Sequence, residues 1–149
     1  MNIQVAVLCD AATSENEKLN LLGAFDTIYA PQMPAVHPHC AFALRITFSP
    51  EDEGAHQLKL SFVNEDGQPV SPGLDIHVEV RLPEDSHFLS RNFVLQLQNL
   101  KFDAPGFHSV EVSADGKSLV SVPLLVKLIP PPAPPSGEVP PSPAAETPE

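Results

Sequence analysis

Apolar and polar side chains alternate with a period of two along most of this chain. In the clearest case Cys40, Phe42, Leu44, Ile46 and Phe48 are separated by smaller or more polar residues. Successive side chains of a β-strand point to opposite faces of the sheet, so this pattern predicts a strand with one buried face. No segment shows a sustained helical period, and the pattern therefore predicts an all-β fold.

About eight such strands are predicted, at residues 3–9, 19–29, 40–48, 58–64, 75–81, 92–98, 107–113 and 119–128. Turn residues separate them at short, regular intervals, which is typical of an antiparallel β-sandwich with Greek-key or immunoglobulin-like connections. A closed barrel is the alternative architecture.

Three irregular positions interrupt these strands. Gly23 predicts a bulge or a close approach of another group to the backbone, and Pro123 predicts a sheet edge or a bulge, because proline lacks an N–H for the ladder. The apolar phase changes near Asn99, so we expect a local irregularity there.

Two turns set the predicted register of neighbouring strands. Residues 65–67 and 114–116 each suit a three-residue hairpin loop that ends in a left-handed glycine. The first loop sets Phe62 opposite Val70, and the second sets Val110 opposite Val120. A two-residue loop at residues 115–116 would turn Val120 to the wrong face, so the three-residue loop is preferred.

The remaining segments are predicted to be connections. Residues 11–18 are small and polar and predict a loop with at most one helical turn, whereas residues 30–38 contain three prolines and predict an extended linker. Residues 130–149 hold nine of the 18 prolines and predict a disordered acidic tail, an inert spacer rather than a ligand for a proline-reading groove. The folded domain is accordingly expected at residues 1–129.

Charge narrows the classes of partner. The 149 residues include 8 Lys and Arg against 19 Asp and Glu, a net charge of −11, which disfavours binding to nucleic acid or to an anionic membrane. No apolar run approaches the length of a membrane span, and the start of the chain lacks the basic segment of a secretory signal. We therefore expect a cytoplasmic protein with its two cysteines, Cys9 and Cys40, reduced and buried.

A candidate metal site lies at His37, His39 and Cys40, since imidazole and thiolate are ligands that zinc prefers. Without a second cluster of ligands, the favoured interpretation is that Cys40 begins a buried strand face while both histidines lie in a solvated loop. No cofactor or metal is therefore predicted.

Catalytic chemistry has little support in the sequence. Ser, His and carboxylates are present but form no recognisable catalytic frame, and His108 is the only histidine in an inward phase, which is typical of a hydrogen-bonded core residue. Acidic residues 51–53 and 84–85 lack the ligand spacing of a calcium loop and are interpreted as solvated loop tips.

The segments VAVLCDAA (residues 5–12), LNLLGAFD (19–26) and PAVHP (34–38) resemble an uncharacterised family of small bacterial proteins. The resemblance covers most of residues 3–128 and implies a domain of unknown function, with no catalytic residue to transfer. It draws attention to Asp10 and Asp26, for which strand-end turn formation is favoured over a shared acidic patch.

The sequence leads to three functional hypotheses. The first is a non-catalytic β-sandwich that binds a protein partner or a second copy of itself. The second is a domain that binds a small ligand or metal through His37, His39 and Cys40. The third, least favoured, is a hydrolase of unfamiliar type.

Overall fold

The computed structural model describes residues 1–130 and 136–137. These residues contain nine β-strands and one 3₁₀ turn. The strands are β1 (Asn2–Glu15), β2 (Lys18–Phe25), β3 (Thr27–Ala30), β4 (Ala35–Phe48), β5 (Gly54–Asn64), β6 (Leu74–Val80), β7 (Leu89–Phe102), β8 (Gly106–Ala114) and β9 (Lys117–Leu128). The 3₁₀ turn is Pro50–Asp52. The tail predicted at residues 130–149 lies outside the described residues except for residues 130, 136 and 137.

The strands divide into two sheets, ordered β2-β1-β4-β7 and β3-β9-β8-β5-β6. All neighbours are antiparallel except β3 and β9, which are parallel. Strands β4 and β7 occupy the places of B and E of an immunoglobulin sandwich, and β5, β8 and β9 those of C, F and G. The predicted immunoglobulin-like β-sandwich is therefore confirmed, and the closed barrel is not formed.

The alternating apolar side chains of both sheets meet in one core. Phe42, Phe48 and Val110 are fully buried, and Leu60 and Val78 are each 5% exposed. No helix among the described residues is long and apolar enough to cross a membrane. The two-residue alternation thus identified the faces that the sheets bury against each other.

Residues 11–18, predicted as a loop, instead belong to a β-hairpin that lengthens β1 and begins β2. Asn16 and Glu17 form its tip with φ values of 51° and 62°, the left-handed pair that a two-residue hairpin turn requires. The prediction was wrong because this ribbon is polar on both faces and therefore lacks the alternation of a half-buried strand.

The tip of this hairpin contacts the outer face of the four-stranded sheet. Arg45 on β4 donates from Nη1 to the Glu17 carbonyl oxygen (3.0 Å), and Asn92 on β7 donates from Nδ2 to the Ser14 hydroxyl (3.1 Å). Beneath it, Cys9, Ala41 and Ala43 are fully buried in a cluster separate from the main core. The small residues on this outer face therefore allow the β1–β2 hairpin to lie close to the sheet.

The strand predicted at residues 19–29 is split into β2 and β3, which belong to different sheets. The break falls at Asp26, whose carbonyl oxygen accepts a hydrogen bond from the Leu125 N–H (2.8 Å) on β9. Ile28 then points into the core with 8% exposure. A continuous apolar run cannot reveal such a transfer between sheets, because both halves are strands.

The first predicted hairpin loop is confirmed. Asn64 donates from its backbone N–H to the Gln68 carbonyl oxygen (2.9 Å), and Gly67 has φ +75°. The Val70 N–H then bonds to the Phe62 carbonyl oxygen (2.9 Å), which places those two residues opposite each other as predicted.

The second predicted loop is wrong. Asp115 and Gly116 form a two-residue turn with φ values of 50° and 83°, and Ala114 pairs with Lys117. A register shift between Val112 and Ser113 then brings Val110 opposite Val122. A β-bulge, rather than a longer loop, keeps the apolar side chains of β9 on the core face.

His56 joins the β8–β9 turn to the start of β5. Its Nδ1 donates to Asp115 Oδ2 (2.6 Å), and its Nε2 donates to the Asp52 carbonyl oxygen. Both partners are acceptors, so both ring nitrogens must carry a proton. The hydrogen bond to Asp115, followed by that to Asp52, raises the pKa of His56 above its usual 6.5.

Gly23 has φ +67°, and a Cβ at this position would overlap the Asp10 carboxylate, which confirms the predicted close approach. We expect Gly23→Ala to lower the free energy of unfolding by about 2 kcal/mol or more, because strain in φ adds to the overlap. Gly67→Ala, with φ +75° and open space around it, is the matched control and should lose about 1 kcal/mol. Urea unfolding measures both, and equal losses would contradict a role for Asp10.

Stability should depend on pH through His56. A folded-state pKa above 6.5 means that its contribution is fully present below pH 6.5 and is lost as the pH rises through the folded value. The free energy of unfolding should therefore decrease in that alkaline direction, and His56→Gln should flatten the decrease. Urea titrations between about pH 6 and 9 test this; an unchanged slope in His56→Gln would count against the assignment.

Candidate functional site

The three predicted metal-ligand candidates lie on β4 rather than in a loop, because that strand begins at Ala35. His37 is half-buried, His39 is exposed, and Cys40 is fully buried in the core. The prediction that both histidines lie in a solvated loop is therefore wrong: both are on a strand, and only His39 is exposed. Within the described residues, no group of three or more His, Cys, Asp or Glu side chains could hold a metal ion.

His37 faces inward because two paired strands change phase together. Asn99 on β7 has φ 53°, and it lies across from Pro38 in the register that joins Cys40 to Leu97 and His37 to Leu100. The predicted change of phase near Asn99 is confirmed. Pro38 lies where β4 is paired with β7 alone, because the pairing of β1 with β4 ends at Ala41, and proline is tolerated at such edge positions.

A groove runs past His37 where β2 gives way to β3. We call it the His37 groove; it comprises two clefts of about 340 and 350 Å³ that share Ile28, Tyr29 and His37. The His37 ring packs on Phe25 with centroids 5.6 Å apart, and its Nε2 is buried without a hydrogen-bond partner. An unsatisfied buried nitrogen is uncommon in folded proteins and marks the groove as a candidate site.

The chemistry of the His37 groove is mostly neutral. Asp10 is the only acidic or basic residue of the two linings other than His37 itself, and Thr27 and Tyr29 supply hydroxyl groups. Asp26 lies in a different cleft with Val7 and accepts a hydrogen bond from the Thr27 hydroxyl (2.9 Å). The favoured account of a turn-forming residue at a strand end therefore fits Asp26, but it is wrong for Asp10, which lies within β1 and does not line that cleft.

The two cysteines are free thiols. Cys40 packs in the main core and Cys9 in the cluster on the other face of the same sheet. Burial, followed by the charges of Cys9 and Asp10, raises the pKa of Cys40 to about 11. Both groups are therefore unreactive thiols at neutral pH, since the thiolate is the nucleophile.

His108 is a core residue, as its inward phase predicted. It is 5% exposed, donates from Nδ1 to the Gly106 carbonyl oxygen (3.0 Å), and packs edge-to-face on Phe102.

The acidic segment 51–53 is also structural in part: Asp52 caps the 3₁₀ turn, and Glu53 Oε1 accepts a hydrogen bond from the Leu82 N–H (2.9 Å).

The free edge of β7 is the feature that sequence analysis missed. This strand ends the four-stranded sheet and is 14 residues long, so its backbone groups on one side face no strand within residues 1–130. Its core-facing side chains Phe93, Leu95 and Leu97 are only partly buried, whereas their partners Leu44, Phe42 and Cys40 on β4 are 0–1% exposed. The core is therefore incompletely covered along this edge.

Nothing in the sequence of β7 distinguishes it as an edge. Its alternation is that of any half-buried strand, and the absence of Asp and Glu is shared with the central strand β4. Only the sheet order shows which strand lies last.

Replacing the unpaired nitrogen of His37 should stabilise the fold. We expect His37→Phe to raise the free energy of unfolding by about 1 kcal/mol, because a buried polar atom without a partner is removed while the ring contact with Phe25 remains. His39→Phe, at an exposed position of the same strand, should change it by less than about 0.5 kcal/mol. Urea unfolding compares the two; a clear loss in His37→Phe would show that Nε2 is satisfied in solution.

Comparison with known proteins gives a family and likenesses to solved structures. No curated protein matches the chain significantly. The crystal structure of an immunoglobulin-like protein from Pseudomonas aeruginosa is similar, with 13% sequence identity, a TM-score of 0.37, and coverage of 85% of this chain and 95% of that one. The sequence matches the family of unknown function DUF6941 over residues 4–127. This chain therefore belongs to DUF6941, in agreement with the expected uncharacterised family.

Proposed function

We propose that this protein is a non-catalytic interaction module that binds a polypeptide strand along the free edge of β7. The observation that carries the proposal is the combination of a long unpaired edge with a row of partly exposed core side chains, Phe93, Leu95 and Leu97. A strand added at this edge would bond to the free backbone groups and cover those side chains at the same time.

The other edges are less suitable for strand addition. Strand β6 is half as long as β7 and carries Asp75 and Glu79. Strand β3 has four residues. Strand β2 contains Gly23 in a left-handed conformation, which interrupts a regular edge. Charges, short length and irregular backbone are the usual means by which proteins prevent edge pairing.

Strand β7 has few of these protections at its centre. Between Asn92 and Gln98 its side chains are apolar or neutral amides, and its two cations, Arg91 and Lys101, lie outside that stretch. In a chain of net charge −11, an acid-free edge is a surface that a second polypeptide can approach without local repulsion.

The non-catalytic part of the proposal is supported by the way the histidines are used. His56 and His108 are held by backbone and carboxylate partners, and His37, His39 and Cys40 do not point to one place. General base and nucleophilic catalysis both need a positioned partner group, and these side chains supply none to each other.

A second candidate function is binding of a small ligand in the His37 groove, favoured by its two adjoining clefts of about 340 and 350 Å³. The neutral lining would suit an uncharged or weakly polar molecule. This function would leave association at β7 unaffected, so the two candidates can be separated by variants on the strand.

Leu97→Lys tests the β7 edge. The side chain is partly exposed, so the ammonium can reach water in the free protein, but an added strand would bury it. We expect association to weaken at least about tenfold. Sedimentation velocity across concentration measures self-association, and recovery of co-purifying proteins from the native host measures other partners.

Gln98→Lys is the matched control, because it adds the same charge to the same strand at an exposed position. Its effect on association should be less than about threefold, and urea unfolding should confirm that both variants fold. Unchanged association in a folded Leu97→Lys would overturn the proposed surface.

A further inference from the structure

We propose that the strand added at β7 is β7 of a second copy, paired antiparallel about a twofold axis at Leu95. This inference rests on the proposed function and names its partner and register. The pairing would join two four-stranded sheets, each ordered β2-β1-β4-β7, into one continuous sheet through their β7 edges.

The unprotected stretch of β7 fixes the centre of the pairing. Arg91 is an exposed cation at a core-facing position near one end of the strand, and inward charges are a common protection of sheet edges. At the other end Asn99, with φ 53°, interrupts the regular edge. Residues 92–98 lie between these two limits, and their middle residue is Leu95.

Backbone geometry permits this centre. Along one edge of a strand only every second residue presents its N–H and C=O, so an antiparallel pair of identical edges must set residues of the same parity opposite each other. A twofold axis through Leu95 meets this condition, because it pairs Phe93 with Leu97 of the second copy and Val94 with Gln96. An axis between two residues would fail it.

Side-chain chemistry separates this register from its neighbours. With the axis at Leu95, core-facing Phe93 lies opposite Leu97 of the second copy, and the two Leu95 residues lie opposite each other. Arg91 lies opposite Asn99 of the second copy. Moving the axis to Gln96 would place core-facing Phe93 opposite Asn99, where the regular edge is interrupted, so Phe93 would lose its apolar partner. Moving it to Val94 would place Arg91 opposite Leu97.

The pairing completes the core that each copy leaves open. Phe93, Leu95 and Leu97, partly exposed in the single chain, would each gain an apolar neighbour across the new ladder. On the outer face Asn92 would meet Gln98, an amide opposite an amide. The edge is therefore self-complementary in the spacing and polarity of its side chains, and residues 92–98 contain no charge that would repel the second copy.

Net charge opposes the assembly at long range. Each copy carries −11, so raising the salt concentration should strengthen the association until the Debye length falls to about 10 Å or less. A dimer held instead by ion pairs would weaken with salt, which makes the salt response a first indication of the kind of contact.

Disulfide trapping of the full chain tests the register. Leu95→Cys places one new cysteine of each copy opposite the other. Their Cα atoms would be about 4.5–5.5 Å apart, within the range that a disulfide spans. Oxidised glutathione serves as the oxidant and leaves as reduced glutathione. Native Cys9 and Cys40 are fully buried and therefore contribute little background.

Gln98→Cys is the control, because it adds an exposed thiol to the same strand. In the proposed register the thiols that this substitution introduces into the two copies are six residues apart along the ladder, about 20 Å, too far to bond. We expect Leu95→Cys to give at least about tenfold more covalent dimer than Gln98→Cys on a non-reducing gel. An equimolar mixture of Phe93→Cys and Leu97→Cys chains should give a mixed disulfide. This mixture tests the same register if Leu95→Cys folds poorly.

Three results would overturn the inference: a wild-type chain that remains monomeric at all concentrations and salt levels, equal cross-linking of Leu95→Cys and Gln98→Cys, or a dimer that no β7 cysteine traps. The proposed function fails separately, when Leu97→Lys leaves binding of every partner unchanged. A monomer whose capture of another protein is lost in Leu97→Lys would therefore reject only the second copy as the partner.

Discussion

Strand β4 pairs with β7 over its full length, from Ala35 opposite Phe102 to Phe48 opposite Leu89, and the other features of the molecule depend on this ladder. It holds Phe42, Leu44 and Ile46 of β4 against the other sheet, where they are 0–1% exposed. Because the two strands shift phase together at Pro38 and Asn99, His37 turns toward Phe25 and the crossing into β3. Because β7 has no further neighbour in the described part of the chain, the same ladder ends there in a free edge.

The outer face of this sheet is closed by a different device. Arg45 on β4 bonds to Gln4, to Asn92 and to the Glu17 carbonyl oxygen, and so links three strands to the tip of the β1–β2 hairpin. The alanines below leave room for that ribbon. One face of the sheet is thus covered by the other sheet and part of the opposite face by its own hairpin, whereas β2 and β7 form the two edges of the layer.

Several features were predictable because they depend on neighbouring residues. The strand faces, the 65–67 turn and the phase change at Asn99 follow from alternation and from glycine or asparagine in left-handed conformations. The β8–β9 hairpin was predicted incorrectly because two local rules disagreed: Asp115-Gly116 favours a two-residue turn, whereas the apolar pattern requires an extra residue. A bulge beyond the turn satisfies both, and its position is set by packing across the sandwich.

The sequence by itself determined the all-β class, most buried faces and the negative charge, since a period of two and a count of ionisable groups need no knowledge of neighbouring strands. Sheet order, the transfer from β2 to β3, and the meeting of Asp10, Tyr29 and His37 around one groove were decided only by the tertiary structure. Whether a strand lies at the centre or the edge of a sheet depends on contacts between residues far apart in the chain, and local alternation is the same in both places.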